Sequence, residues 1–180
     1  MKKTALNIDW SAEVLLQHKI TRLERDWLFN GASLTHRLTQ LSNNQFSVEV
    51  LSASRQLARE DECQKLGITS DRRCWVREVL LCGANEAWVY ARSVALETNL
   101  NHTHYNLNNI GSKPLGAILF SDDSFKRTPL EVAHYPMSLL PSNQQYPNLW
   151  VRRSSFINNE INVLVQEIFL PSFWQKLQRE

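Results

Sequence analysis

Two runs rich in β-branched and aromatic residues, Cys74-Trp75-Val76-Arg77-Glu78-Val79-Leu80-Leu81-Cys82 and Ala87-Trp88-Val89-Tyr90-Ala91-Arg92-Ser93-Val94, are separated by Gly83-Ala84-Asn85-Glu86. Side chains branched at Cβ or carrying rings fit a pleated, half-buried surface. A short connection containing Gly and Asn has the chemistry of a hairpin loop. The chain is thus committed to an antiparallel sheet built around this pair. If all four loop residues lie outside the ladder, Leu81 faces Trp88, Val79 faces Tyr90, Arg77 faces Arg92 and Trp75 faces Val94. One face then carries two opposed arginines among aromatic and aliphatic side chains. Like charges so placed, with Cβ atoms about 5 Å apart, repel, and a buried charge lacking a partner costs about 3–5 kcal/mol. Such a face requires an anion, from the protein or from a ligand. A one-residue slip through a bulge instead sets Glu78 opposite Arg92 as an ordinary ion pair. The hairpin residues leave both registers open.

The rest of the composition narrows the class. At 180 residues and 43% hydrophobic content, residues 1–180 are expected to form a single domain with a sizeable core. The net charge of +2, with basic pairs at Arg72-Arg73 and Arg152-Arg153 but no basic stripe, argues against a nucleic-acid partner. Met1-Lys2-Lys3-Thr4 looks like the start of a signal segment, but Asn7, Asp9 and Glu13 interrupt the apolar run that should follow. No segment is long enough to span a bilayer. A cytoplasmic protein without stable membrane insertion is the expectation. Cys63, Cys74 and Cys82 fit a reducing compartment and lack zinc-site spacing. Cys74 and Cys82 read as small buried side chains rather than nucleophiles. His102 and His104 lie in a polar stretch without a third ligand, so a solvated loop is expected and no metal site.

Along the chain, Asp9 is expected to cap a first helix from Trp10 through Val14, Leu15 and His18. Leu34, Leu38 and Leu41 recur at helical spacing after the cap residues Asn30 or Ser33. Phe46, Val48 and Val50 alternate with polar residues as a strand with one wet face. Residues 54–70 read as loop with a short helix, and 99–112 as polar loop. Lys113-Pro114-Leu115-Gly116 opens a short helix. A strand over 127–132 contains Pro129, which marks an edge or a bulge. Residues 135–148 form an irregular connection, and two strands over 150–157 and 163–170 close around Asn158-Asn159. The class is α+β: an antiparallel sheet of about six strands, with helices on part of one face.

In the last of these strands Val163, Val165, Glu167 and Phe169 share a face. A glutamate on an apolar face either pairs with a buried cation or sits desolvated, and both arrangements are common at reactive sites. An internal pair of Glu167 with Arg77 or Arg92 is a sufficient structural explanation, and the residues alone do not exclude it.

Several blocks then converge on one family. Trp75-Val76-Arg77-Glu78-Val79-Leu80-Leu81-Cys82, Ala91-Arg92-Ser93-Val94, Lys113-Pro114-Leu115-Gly116 with Leu119-Phe120, Arg152-Arg153-Ser154 and Gln166-Glu167-Ile168-Phe169-Leu170-Pro171 resemble, in order and spacing, those of chorismate pyruvate-lyases. The resemblance covers about residues 26–171 and is strongest over 75–120 and in the last strand. It implies a cofactor-free cytoplasmic enzyme, acting as a monomer, that converts chorismate to 4-hydroxybenzoate and pyruvate at the entry of ubiquinone biosynthesis. It also implies an internal ligand cavity. Family ligand positions fall on Arg77, Leu115, Glu167 and Leu34, the last replacing a methionine. Residues 138–149 look like an insertion. Chorismate is a dianion, so Arg77 is expected to grip one carboxylate and Arg92 to take the other or to support. Glu167 is expected at the end where the ether oxygen becomes a phenol, with Arg77 and Glu167 as the catalytic pair. A competing reading is a non-catalytic small-anion sensor, because the same fold resembles the effector module of bacterial transcription regulators. Those carry a helix-turn-helix domain ahead of the module, for which the stretch before Asp26 leaves no room.

Overall fold

The computed structural model describes residues 8–16 and 19–179. Met1 to Thr4, Asn7 and His18, used above, lie outside the described residues. Near the N-terminus the expected helix does not form. Ser11–Ala12 (β1) is a two-residue strand and Glu13–Leu16 a single 3₁₀ turn, with Val14 and Leu15 exposed. A helix not anticipated from periodicity follows at Arg22–Leu28 (α1). Its signal is Thr21-Arg22-Leu23-Glu24, a reciprocal cap in which Thr21 Oγ1 accepts from the Glu24 amide and Glu24 accepts from the Thr21 amide. Leu34–Leu41 (α2) is the expected amphipathic helix, with Ser33 as its cap.

Phe46–Leu57 (β2) runs well past Val50 into the stretch read as loop. The register shift between Val50 and Ser52 lets this edge strand continue with polar side chains outward. Glu60–Leu66 (α3) is the short helix. Arg73–Gly83 (β3) and Glu86–Leu96 (β4) form the hairpin. Glu97–Leu100 (α4) runs into the stretch expected to be polar loop, and a 3₁₀ turn at Leu107–Asn109 lies within it. That stretch contributes Leu100, Tyr105, Leu107 and Ile110 to a buried cluster. Leu115–Leu119 (α5) follows Pro114. The strand expected over 127–132 is split into Lys126–Arg127 (β5) and Glu131–Tyr135 (β6), and Pro129, which has no N–H to donate, falls in the gap. Leu149–Ile157 (β7), Asn162–Phe169 (β8) and Pro171–Gln178 (α6) complete the chain.

The sheet has the order β1-β6-β7-β8-β4-β3-β2, with β5 also on β7, and every pairing is antiparallel. Six strands are long and two have only two residues, in agreement with the α+β class read above. Helices cover both faces rather than one. On the first face α1, α2 and α6 pack through Trp27, Leu28, Leu34, Leu38 and Phe173 against Val79, Leu81 and Phe169. On the reverse face α3 packs through Cys63 against Cys74, Val76 and Leu164. The segment read as an insertion lies there too, as Leu139, Leu140 and Leu149 join Leu80, Tyr90 and Ile168.

The hairpin adopts the slipped register. Ala84 and Asn85, both at positive φ, form a two-residue turn between the paired Gly83 and Glu86. Trp88 is left over as the bulge residue between Leu81↔Val89 and Cys82↔Ala87. Its ring lies across Gly83, where a Cβ would stand 2.1 Å from the indole; Gly83 is what makes room for the bulge. Beyond it Glu78 pairs with Arg92 and Arg77 with Ser93. The opposed-arginine register is overturned, because a slip of one residue sends every side chain to the other face. Arg77 and Arg92 occupy opposite sides of the sheet.

Candidate active site

Arg92 is on the reverse face, 2% exposed, inside a closed ionic network. Its Nε and Nη2 donate to the two carboxylate oxygens of Glu62 at 2.6 and 3.1 Å, and Nη1 to Glu78 at 2.9 Å. Gln166 and the Arg59 amide also donate to Glu62, while Tyr90 and Ser52 donate to Glu78. Burial works against both charges. The paired carboxylates nonetheless raise the Arg92 pKa, and the Arg92 contacts hold Glu62 below the usual carboxylate range. Arg92 does not border the cavity described next, so the expected ligand role is replaced by a structural ion pair. Glu62, fully buried, was not foreseen from sequence: a charged seven-residue helix gives no sign of which acid faces inward.

The first face holds a partly open cavity, about 510 Å³ of atom-free space when the solvent at its mouth is counted. Arg77, Val79 and Leu81 of β3, Ala91 and Ser93 of β4, and Val165 and Glu167 of β8 form its floor. Ser33 to Thr35 at the start of α2 and Pro114 to Phe120 around α5 form its roof. The two roof helices touch closely at Gly116, where an added Cβ would lie 3.1 Å from Thr35 Oγ1. Four expected site residues, Leu34, Arg77, Leu115 and Glu167, are thereby brought together around one space.

Arg77 is 3% exposed. Its Nη2 donates to the carbonyls of Gly111 and Lys113 at 2.9 and 3.0 Å, and its Nε is buried with no hydrogen-bond partner. Among the described residues no carboxylate pairs with it, and burial alone pulls its pKa below the usual arginine value. The expected pairs of Glu167 with Arg77 or Arg92 do not form. Glu167 instead pairs with Arg152, whose Nε donates to it at 2.5 Å. Arg152 is held further by the carbonyls of Trp27 and Asn30, at 2.8 and 3.1 Å, and its Nη2 is a second buried orphan.

Arg152 and Arg127 are the site-associated residues that sequence reading missed. For Arg152 a signal was present: adjacent residues of a strand point to opposite faces, so Arg152-Arg153 must put one cation on each side. Arg153 accordingly meets Glu131 and Asp61 on the reverse face. Arg127 lines the cavity from β5. Its Nε donates to Ser154 Oγ at 2.8 Å and its Nη1 to the Gly31 carbonyl at 2.9 Å. Burial, reinforced by Arg152 and offset by Glu167, lowers its pKa to about 10.

The thiols stand apart from this chemistry. All three cysteines are buried and free, and burial pushes Cys74 up to about 11. His104 lies exposed beside Glu160, and no cluster able to hold a metal occurs among the described residues.

The family model for chorismate lyase matches residues 6–179. The chain belongs to the chorismate lyase family. A Pseudomonas putida protein named a probable chorismate pyruvate-lyase is 45% identical over 176 residues, spanning 98% of this chain and 95% of that protein. One from Pseudomonas aeruginosa, with the same name, is 46% identical over 84% of this chain and 85% of its own length. Among solved structures, the C-terminal domain of the histidine utilization repressor of Pseudomonas syringae shares the fold, with a TM-score of 0.52 at 10% identity over 71% of this chain and 92% of that one. The effector-binding domain of the Bacillus subtilis trehalose repressor does likewise, with a TM-score of 0.52 at 11% identity over 70% and 91%. At such identities the likeness is one of fold. This chain therefore shares its fold with repressor domains, one of them described as effector-binding. No described helix is long and apolar enough to cross a membrane.

Proposed function

We propose that this chain is a lyase that converts chorismate to 4-hydroxybenzoate and pyruvate, in the cytoplasm, at the entry of ubiquinone biosynthesis. The observation that carries this reading is Arg77: a buried guanidinium on the wall of an apolar cavity, with an orphaned Nε and no carboxylate partner among the described residues. A buried cation of this kind is stabilised by an anion of matching planar geometry, and a benzoate carboxylate supplies one. Glu167 sits on the same floor, restrained by Arg152, and suits the hydroxyl at the far end of the ring.

The reaction breaks the ether C–O bond, so the ether oxygen leaves with the enolpyruvyl group. One proton departs from the neighbouring ring carbon and one is gained as the enol becomes pyruvate. The phenol of the product is therefore the substrate's own ring hydroxyl. The expectation that the ether oxygen becomes the phenol is corrected by this balance. Aromatisation drives the step, and no electron changes hands. The protein has to hold the reactive conformer, keep water out and manage one proton. Val79, Leu81, Leu115 and Val165 supply the dry walls, Arg77 the anchor, and Glu167 the polar contact beside the carbon that loses its proton.

The test is direct. Purified protein incubated with chorismate is expected to yield 4-hydroxybenzoate and pyruvate in equal amounts, undiminished by a chelator. Chorismate that binds and persists would instead support the sensor reading, which the lyase relatives do not favour.

A further inference from the structure

The charges around the cavity do not balance for a monoanionic ligand. Arg77, Arg127 and Arg152 face a single carboxylate, Glu167, and Glu167 is taken by Arg152. Two positive charges are left over, one on each of Arg77 and Arg127. Neither has a carboxylate partner among the described residues, and the two enter the cavity from different strands, β3 and β5. A ligand with a single carboxylate neutralises one of them.

Arg127 is also placed differently from Arg77. It lines the cavity and, at the same time, a more open groove formed by Ala12, Glu13, Val14, Phe29 and residues 128–130. The groove's own carboxylate, Glu13, lies 3.8 Å from Arg25. The Arg127 guanidinium is held in one orientation. It lies 5.0 and 5.5 Å over the rings of Phe156 and Phe120, and Ser154 and Gly31 each accept one of its hydrogen bonds. With Nε and Nη1 each engaged by a neutral acceptor, the fixed guanidinium still lacks an anion, and its Nη2 end is left to donate to a carboxylate.

We infer that Arg127 binds the second carboxylate of the substrate, the one on the enolpyruvyl arm, and that this arm lies at the boundary between the cavity and the groove. The inference rests on the lyase reading and extends it. Arg77 holds the carboxylate that substrate and product share, whereas Arg127 holds the one that only the substrate has. Arg127 then separates substrate from product, and pyruvate is released on the side that opens to the groove.

Equilibrium binding of two stable probes tests this without turnover: 3-(carboxymethoxy)-4-hydroxybenzoate, which carries both carboxylates, and its 3-methoxy counterpart, which carries one. Wild-type protein is expected to prefer the dicarboxylate. Arg127→Met should weaken the dicarboxylate by roughly 30-fold or more, the usual loss when one partner of a bound charge pair is truncated, and leave the methoxy compound within about threefold. Arg77→Met should weaken both. Arg127→Lys, which keeps the charge but loses the fork, should fall between wild type and Arg127→Met for the dicarboxylate and guards against a folding defect in the methionine variant. Equal losses for both probes in Arg127→Met, or an unchanged dicarboxylate affinity, would overturn the inference. If wild-type protein binds neither probe and leaves chorismate intact, the lyase reading itself fails, and the role of Arg127 falls with it.

Discussion

Exchanging each hairpin arginine for methionine should have opposite consequences, because Arg92 is paired and Arg77 has no carboxylate partner among the described residues. Arg92→Met keeps most of the volume but leaves Glu62, which is 0% exposed, without its cation. Stranding one member of a buried pair costs about 3–5 kcal/mol, and at roughly 2–4 °C per kcal/mol for a domain of this size the midpoint should fall by about 6–20 °C. Arg77→Met removes a buried cation that lacks a carboxylate partner, which is favourable, and two hydrogen bonds to carbonyls, which is not. The first is worth about 3–5 kcal/mol and the two bonds together about 3–6 kcal/mol, at about 1.5–3 for each bond to a charged group, so the terms nearly cancel and the empty protein should shift by only a few degrees. Saturating 4-hydroxybenzoate should stabilise wild type by about 2.7 kcal/mol at a hundredfold excess over Kd. In Arg77→Met that ligand shift should nearly vanish. In Arg92→Met it should persist on top of the lower baseline. The assay is a set of melting curves for three proteins, with and without product. An Arg77→Met protein that melts as low as Arg92→Met, or that keeps the full ligand shift, refutes the assignment of Arg77 as anchor and Arg92 as framework.

Replacing Glu167 with Gln preserves shape while removing charge. If Glu167 manages the proton, kcat should fall by roughly 10²–10⁴, and because the change also strands the buried Arg152 the melting temperature should fall by several degrees; a drop in kcat below tenfold, measured where the variant is still folded, would leave Glu167 an orienting group. Leu34→Met restores the family side chain at nearly constant volume; product affinity is expected within about threefold of wild type, as measured by calorimetry, and a larger loss would show that the Leu34 side chain itself matters. Stability should also depend on acid in a defined sense. The folded pKa of Glu62 is lowered, so its contribution is intact above the ordinary value of 4.5 and is lost as pH falls towards the folded value. Glu62→Gln should flatten that acid limb of a stability-pH curve, and an unchanged limb would assign the effect to other carboxylates.

What was legible in the sequence were the features that each residue decides with its near neighbours. Alternation gave the strands of the hairpin and of the closing pair, spacing after Ser33 gave α2, and Pro114 gave the start of α5. The candidate site was legible as far as Arg77, Leu115 and Glu167, through their blocks and through the oddity of charged residues on apolar faces, and Leu34 through the family position alone. Tertiary structure decided the rest. The face on which Arg92 lies depended on a single bulge at Trp88, made possible by the missing Cβ of Gly83, and no local pattern weighs one register against the other. The partner of Glu167 depended on β7 lying beside β8, which sets Arg152 against it across the ladder. Arg127 entered the site because β5 pairs alongside the end of β7, which sets Arg127 opposite Phe156 of the cavity lining. Glu62 and Arg92, 30 residues apart in the chain, found each other only when α3 settled on the back of the sheet. Propensity and periodicity act over a few residues, whereas charge pairing acts through space, so the sequence shows which residues need partners and the packing of distant strands decides which partners they receive.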